Sequence, residues 1–344
     1  MAGIPYTSVS SYVAALRMRS ARSVLLEGRT DKQILARLRG DLERRNPSMA
    51  RVELDTAESI RWPDAAMGNR QKVELVCEAA HRAGLRKQAG FVDREYRGFD
   101  LDDIIRDQIQ AHFVAEWNVF WTRGHSIENY FLERECVIGY LETMHAEHLD
   151  THTLGKVERC LPRLLEIAAT FSAAAAKGRC LDKCRGMFEI GHWRLPAPGL
   201  VPDLVVDRLA ESLGLRGVDS QRCEQLGIDL SQMLCATFPP EPLARWVAHG
   251  RAGTELFWTG IGQMLPQSAR DAVLSAGPLV ILAGQVLLIV LMLRSSPFKL
   301  SLPDIAYLAG SPVSRAPMEL LGFIASVSLP LPVAVLLASF LGVA

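Results

Sequence analysis

The stretch Ser23-Val24-Leu25-Leu26-Glu27-Gly28-Arg29-Thr30-Asp31 leaves this chain little choice of local fold. A short apolar run, β-branched at its start, ends in an acid and a glycine. An amphipathic pattern then begins at Ile34, Leu35 and Leu38. So brief an apolar run suits a buried strand, the glycine a tight turn, and Thr30 with Asp31 the first turn of a helix. Glu27 is thereby set at the C-terminal end of a strand, where open α/β sheets place their ligands. Asp31 falls in the first helical turn, so both carboxylates are expected to face one crevice.

A second acidic pair follows another short apolar run, in Gly90-Phe91-Val92-Asp93-Arg94-Glu95. Alternate residues of an extended segment point the same way, so Asp93 and Glu95 are expected to share a face. A third element is Gly124-His125-Ser126-Ile127-Glu128-Asn129-Tyr130-Phe131-Leu132, with Ser126 placed to cap a helix that carries Glu128. Carboxylates converging at strand ends repel one another unless a cation neutralises them. An all-oxygen ligand set selects Mg2+ or Mn2+ over zinc. Such an ion activates water and stabilises charge on a scissile phosphate.

Taken in order, the three motifs resemble those of the Toprim domain, the metal-dependent catalytic module of topoisomerases, primases and overcoming-lysogenization-defect (OLD) nucleases. In that family a strand-end glutamate-glycine is followed, one βα unit later, by aspartate-x-aspartate. Here Glu27-Gly28 with Asp31 matches the first motif in its OLD form. Asp93-Arg94-Glu95 matches the second with glutamate in place of the second aspartate. The segment around Ser126, Glu128, Asn129 and Tyr130 resembles the serine-x-glutamate element of OLD-type members. It also resembles the glutamate-asparagine-tyrosine form of the AriB effector family of the PARIS anti-phage system. Farther on, Trp246-Val247-Ala248-His249-Gly250-Arg251 is similar to the end of that family, with Arg251 where a lysine is usual. The resemblance spans Ala21 to Gly262. It implies that Glu27, Asp93 and Glu95 are catalytic and hold a primary Mg2+ or Mn2+, with Asp31 and Glu128 as ligands of a second. His125 is a neighbour suited to proton transfer, though a lone histidine is usually incidental. A downstream lysine of OLD nucleases is met only by approximate position, at Lys177 or Lys183.

The remaining pattern gives the organisation. Val9 to Ser20 is expected to be a lead-in helix, Ala50 to Leu54 a second strand and Met67 to Arg86 a helix. Gln88 to Asp93 is expected as a third strand, Asp100 to Phe113 as a helix and Trp117 to Thr122 as a fourth strand. The alternation calls for an α/β fold, a parallel sheet flanked by helices. A mostly helical region follows, with a long alanine-rich helix from Leu154 to Ala176. Three regions are expected: 21–149 as the Toprim-like catalytic domain, 150–262 as a helical region completing it, and 272–344 as an apolar tail.

That tail is different material. Ala272 to Leu293 carries no charged residue and is long enough to cross a hydrocarbon core of about 30 Å; Pro317 to Ala344 is a second apolar stretch. A membrane-associated tail carrying a cytoplasmic catalytic part is the expectation. The basic loop between the two stretches conflicts with the positive-inside preference if the first one spans. Leu300 to Arg315 faintly resembles a loop of ABC-2-type permeases, and the chain ends inside an apolar run, as a longer membrane protein cut short would.

Composition narrows the function. Of 344 residues, 49% are hydrophobic, which excludes a disordered chain, and the formal net charge is zero, so no global basic field advertises nucleic acid. Basic residues on the helix after Asp31 (Lys32, Arg37, Arg39, Arg44, Arg45) offer at most a local track for a phosphate backbone. Seven cysteines without a regular framework fit a reducing compartment. Cys180 and Cys184, with His192 beyond, lack a fourth zinc ligand and read as small core residues. No secretory signal opens the chain. The expected function is a metal-dependent nuclease acting on DNA or RNA, tRNA included, as an anti-phage effector with a partner ATPase. The alternative is a non-catalytic nucleotide- or partner-binding module that signals to a membrane tail.

Overall fold

The computed structural model describes residues 6–46, 51–62, 67–102, 104–110, 113–144, 147, 149–194, 202–235 and 241–275. The tail beyond Ser275, with its expected spans and permease-like loop, lies outside them, as does the Pro239-Pro240 break. Among the described residues no helix is long and apolar enough to cross a membrane.

The chain opens with α1 (Val9–Met18), β1 (Arg22–Leu26), α2 (Arg29–Arg45), β2 (Val52–Thr56), α3 (Asn69–Arg82) and β3 (Gln88–Val92). Short strands follow: β4 (Phe99–Asp100), β5 (Arg106–Asp107), β6 (Phe113–Ala115) and β7 (Val119–Trp121). A 3-10 turn over Ile127–Leu132 leads to α4 (Arg134–Met144) and the long α5 (Thr151–Lys177). Then come β8 (Trp193–Arg194), β9 (Asp203–Leu204), α6 (Val206–Leu215), α7 (Ser220–Cys235), α8 (Glu241–Val247), α9 (Ala252–Met264) and α10 (Gln267–Ser275). Over the described residues these form two compact units. The first comprises residues up to Asp93 together with 113–123; the second comprises Arg94–Gln110 together with 124–275.

The first unit is the α/β part. Its sheet runs β2-β1-β3-β7-β6, with β2, β1, β3 and β7 parallel. The outermost strand departs from expectation: β6 is antiparallel to β7, with Ala115 opposite Val119. Trp117 and Asn118 both take positive φ (64° and 58°), so the backbone folds back there and the strand expected from Trp117 begins only at Val119. Central strands are apolar on both faces, as a parallel sheet covered by helices requires: Val24, Leu25 and Leu26 are fully buried. Helix α3 lies close on β3 because Gly90 leaves room. A Cβ there would stand 2.6 Å from Val73 Cγ1 and 2.9 Å from Cys77 Sγ. The lead-in helix is tied to β2 through Asp55, which accepts from Tyr12 Oη (2.8 Å) and from Arg19.

The second unit is built on α5, whose start is capped by Asp150 accepting from the Thr153 N–H (2.7 Å). Its alanine-rich end is buried against α8 and α9, where small residues let backbones approach. At Gly260 of α9 a Cβ would meet Leu164 and Trp193 at 2.8 Å. The helix expected over Asp100 to Phe113 does not form. In its place β4 and β5 make a small hairpin, and β6 begins at Phe113 in the other unit. Aspartate carboxylates compete with a helix for backbone N–H groups. Asp100 accepts from Asp102 N–H (3.1 Å), and Asp107 accepts from Ile109 and Gln110 N–H (both 3.0 Å). Asp107 also meets the buried Arg94 guanidinium at 2.6 Å. Arg94 further donates to the carbonyls of Arg97 (2.7 Å) and Gly98 (3.2 Å) and lies 3.9 Å from the Phe99 ring centre. One buried cation thus organises the whole 94–110 excursion.

Candidate functional site

In the α/β unit the sheet delivers acids to one edge. β1 and β3 are adjacent and parallel, with Leu26 opposite Phe91, so Glu27 and Asp93 follow neighbouring strand ends. The Glu27 carboxylate accepts the Asp93 N–H at 2.7 Å, which fixes its direction across the two strands. Asp31 turns back to accept the Gly28 N–H at 3.0 Å, so it caps α2. The dipole at that helix start favours its negative charge. Sequence reasoning missed a fourth acid, Glu58, which follows β2 on the other side of β1 and pairs with the exposed Arg29 at 3.0 Å. Its signal was weak, an acid two residues beyond a strand end. Gly28 sets no side chain between these groups: a Cβ there would lie 3.7 Å from Asp31 Oδ2 and 3.8 Å from Glu58 Oε1.

In the helical unit the remaining expected residues cluster around His249-Gly250. The backbone at Glu95 is left-handed (φ 53°), so the segment is no longer extended after Val92 and the alternation that paired Asp93 with Glu95 does not apply. Glu95 instead donates its N–H to the His125 carbonyl at 2.7 Å. A non-glycine residue held in this region marks a strained position of the kind found at functional sites. His125 is buried, its ring centre 4.5 Å from those of Tyr96 and His249. Ser126 starts the 3-10 turn, as expected of a cap, and Glu128 sits half-buried in its first turn.

Asn129 explains the polar core of that motif. Fully buried, its Oδ1 accepts the Ser126 N–H (2.7 Å), and its Nδ2 donates to the carbonyls of Arg245 (2.6 Å) and Ala248 (2.7 Å). The amide therefore fastens the 124–132 segment to the end of α8. Tyr130 meets the Trp246 ring at 5.2 Å between centres, and His125 N–H donates to the Trp246 carbonyl at 2.8 Å. Gly250 lies hard against the same turn: a Cβ there would be 2.2 Å from Ser126 Oγ and 2.8 Å from Glu128 Oε2. Two stretches far apart in sequence, 124–132 and 246–251, are thus one packed element. Burial holds the His249 imidazole neutral, its pKa down at about 4; Glu95 opposes that shift and Arg251 adds to it.

Among the described residues no three His, Cys, Asp or Glu side chains stand together as a ready cation cage. Lys177 and Lys183 are exposed. Cys180 and Cys184 are buried core residues. The Cys184 thiol donates to the Cys180 carbonyl (3.2 Å), and its pKa is driven up by hydrogen bonding to Cys180 and by burial. His192 engages both ring nitrogens elsewhere, with the Glu189 N–H and with Ser212 Oγ (both 2.9 Å). In comparisons of sequence, no protein-family model and no curated protein matches the chain.

Proposed function

We propose that this protein is a Mg2+- or Mn2+-dependent nuclease of Toprim type that hydrolyses phosphodiester bonds of DNA or RNA, tRNA included. The observation that carries the reading is the pair Glu27 and Asp93, set directly after adjacent parallel strands, with the Glu27 carboxylate fixed on the Asp93 N–H. Around it the donors are all oxygen, and Gly28 leaves space between Asp31 and Glu58. That chemistry fits a hard cation that keeps part of its water shell. Glu27 and Asp93 would hold the ion; Glu95 and Glu128 enter as ligands on the sequence pattern alone. When bound, the ion supplies an activated water and stabilises charge on the scissile phosphate. Asp31 keeps the first turn of α2 closed, and the exposed Arg29, steadied by Glu58, offers a cation to the nucleic-acid backbone. The biological role follows from the same resemblance: an anti-phage effector, governed by a partner ATPase and carried on a membrane by 272–344.

The test is a cleavage screen of the purified full chain with Mn2+ over DNA, RNA and tRNA. Glu27→Gln and Asp93→Asn should each lose about a hundred- to a thousandfold in rate, as loss of a transition-state electrostatic contact does. Glu95→Asp should retain activity. Equal phage protection by the wild type and the Glu27→Gln, Asp93→Asn double variant would remove the nuclease. The non-catalytic binding module would then replace it.

A further inference from the structure

We propose that His249 is a substrate-contacting residue, donating its Nε2–H to a phosphate oxygen of the nucleic acid. The inference rests on the nuclease reading and deepens it. His249 stands at the head of α9, its carbonyl accepting from the N–H of Gly253 (2.8 Å) and Thr254 (3.2 Å). Its Nδ1 accepts from the Ala252 N–H at 3.0 Å, with the Arg251 N–H at 3.3 Å. A backbone N–H can only donate, so Nδ1 carries the lone pair and the ring proton sits on Nε2. Among the described residues no hydrogen bond engages Nε2.

The ring has little freedom to choose another pose. The His249 N–H donates to Ser172 Oγ (2.9 Å), and the imidazole packs on His125. The next residue, Gly250, is wedged against Ser126 and Glu128. Glu95 is tied to the His125 carbonyl and bears electrostatically on the imidazole. The result is a fixed N–H donor in the neighbourhood of Glu95 and Glu128. A metal ligand or a general base would need a ring lone pair, and the one available is committed to α9. What is left is a hydrogen bond to an anionic oxygen, made without the cost of reorienting the donor. Arg251 beside it is exposed and adds a positive charge for the same backbone.

The two nitrogens can be separated by substitution. In His249→Asn an amide oxygen takes the place of Nδ1 and keeps the bond to Ala252, but nothing replaces Nε2–H. In His249→Gln an amide N–H reaches the position of Nε2 and the bond to α9 is lost. Both are made in the full chain carrying Glu27→Gln, so that no cleavage intervenes. Each is read by anisotropy of a fluorescein-labelled oligonucleotide in Mn2+ and by thermal melting. The expected result is a split. His249→Asn melts like its parent and binds about tenfold more weakly or worse, the size of one hydrogen bond to a charged group. His249→Gln melts lower and binds close to its parent. Parent-like binding by His249→Asn, or equal losses in both variants, would overturn the proposal and leave His249 a helix cap. If neither this parent nor the chain with Glu27 intact binds an oligonucleotide, the nuclease reading falls and this inference falls with it.

Discussion

Removing the carboxylate of Asp107 should unfold the second unit more readily than any surface change. Its side chain and that of Arg94 are 3% and 1% exposed, and they meet at 2.6 Å. Truncating one partner of a buried ion pair strands the other charge in a medium that solvates it poorly, at about 3–5 kcal/mol. Asp107→Asn keeps an oxygen for the N–H groups of Ile109 and Gln110, so the loss should sit near the lower figure, about 3 kcal/mol. Asp107→Ala forfeits those bonds as well and should approach the upper. With a urea dependence of about 2 kcal/mol per M, the Asn variant lowers the midpoint by roughly 1.5 M. Replacing both partners, Arg94→Met with Asp107→Leu, removes the stranded charge and should recover most of the loss. Urea titration of the wild type, Arg94→Met, Asp107→Leu and the double variant, followed by tryptophan fluorescence, gives the coupling directly, with Asp107→Asn and Asp107→Ala titrated alongside. A change below about 1 kcal/mol in Asp107→Asn would refute the reasoning, because that is the value of an exposed pair.

Gly250→Ala forces a Cβ into Ser126 and Glu128 and should cost about 1–3 kcal/mol by overpacking, measured by the same titration. Asn129→Leu removes the amide's bonds to the Arg245 and Ala248 carbonyls and should cost about 1–3 kcal/mol for each, seen as a lowered melting temperature. Burial raises the Glu255 pKa from its ordinary 4.5, against the pull of the Gly186 and Phe188 N–H groups. The native state therefore holds a proton that the unfolded state has released. Stability falls as pH rises from 4.5 through the raised value, and Glu255→Gln should flatten that slope in a pH series of melts. Mn2+ at a hundredfold excess over its Kd should stabilise the folded chain by about 2.7 kcal/mol, and Glu27→Ala should abolish most of that gain in differential scanning calorimetry.

What the sequence revealed was whatever is decided locally. The run from Val24 to Leu26 and the amphipathic pattern after Asp31 carry their own periodicity, so β1, α2 and the strand-end position of Glu27 were legible. The span from Leu154 to Ala176 was read as one long helix, and α5 runs from Thr151 to Lys177. Where a distant partner decides, the pattern was silent. Nothing near Asp100 to Phe113 announces that Arg94, thirteen residues before Asp107, will be buried against it and hold the segment as a hairpin. That the sheet would be parallel was expected, but its strand order was not read, and the antiparallel β6 depends on two left-handed residues, Trp117 and Asn118, that no apolar alternation signals. Asn129 was legible as part of a motif and not as a bond to residues 245 and 248. His249, quoted only as a neighbour of Gly250, gains its place from Ser172, Ala252 and His125.

The path of the chain between its two units makes this molecule a natural split protein. β3 ends at Val92, and its partner β7 begins only at Val119, after the excursion through 94–110. Arg94 and Asp107 stand on either side of the exposed Ile104. A protease that nicks the chain beside Ile104 would cut one covalent molecule into two fragments and release neither. Gly90, Phe91 and Val92 would still ladder onto Val119, Phe120 and Trp121 of the other piece, and the severed hairpin would stay clasped by its buried ion pair. Conversely, genes for the two halves, each unable to complete the sheet alone, should yield a working whole when expressed together.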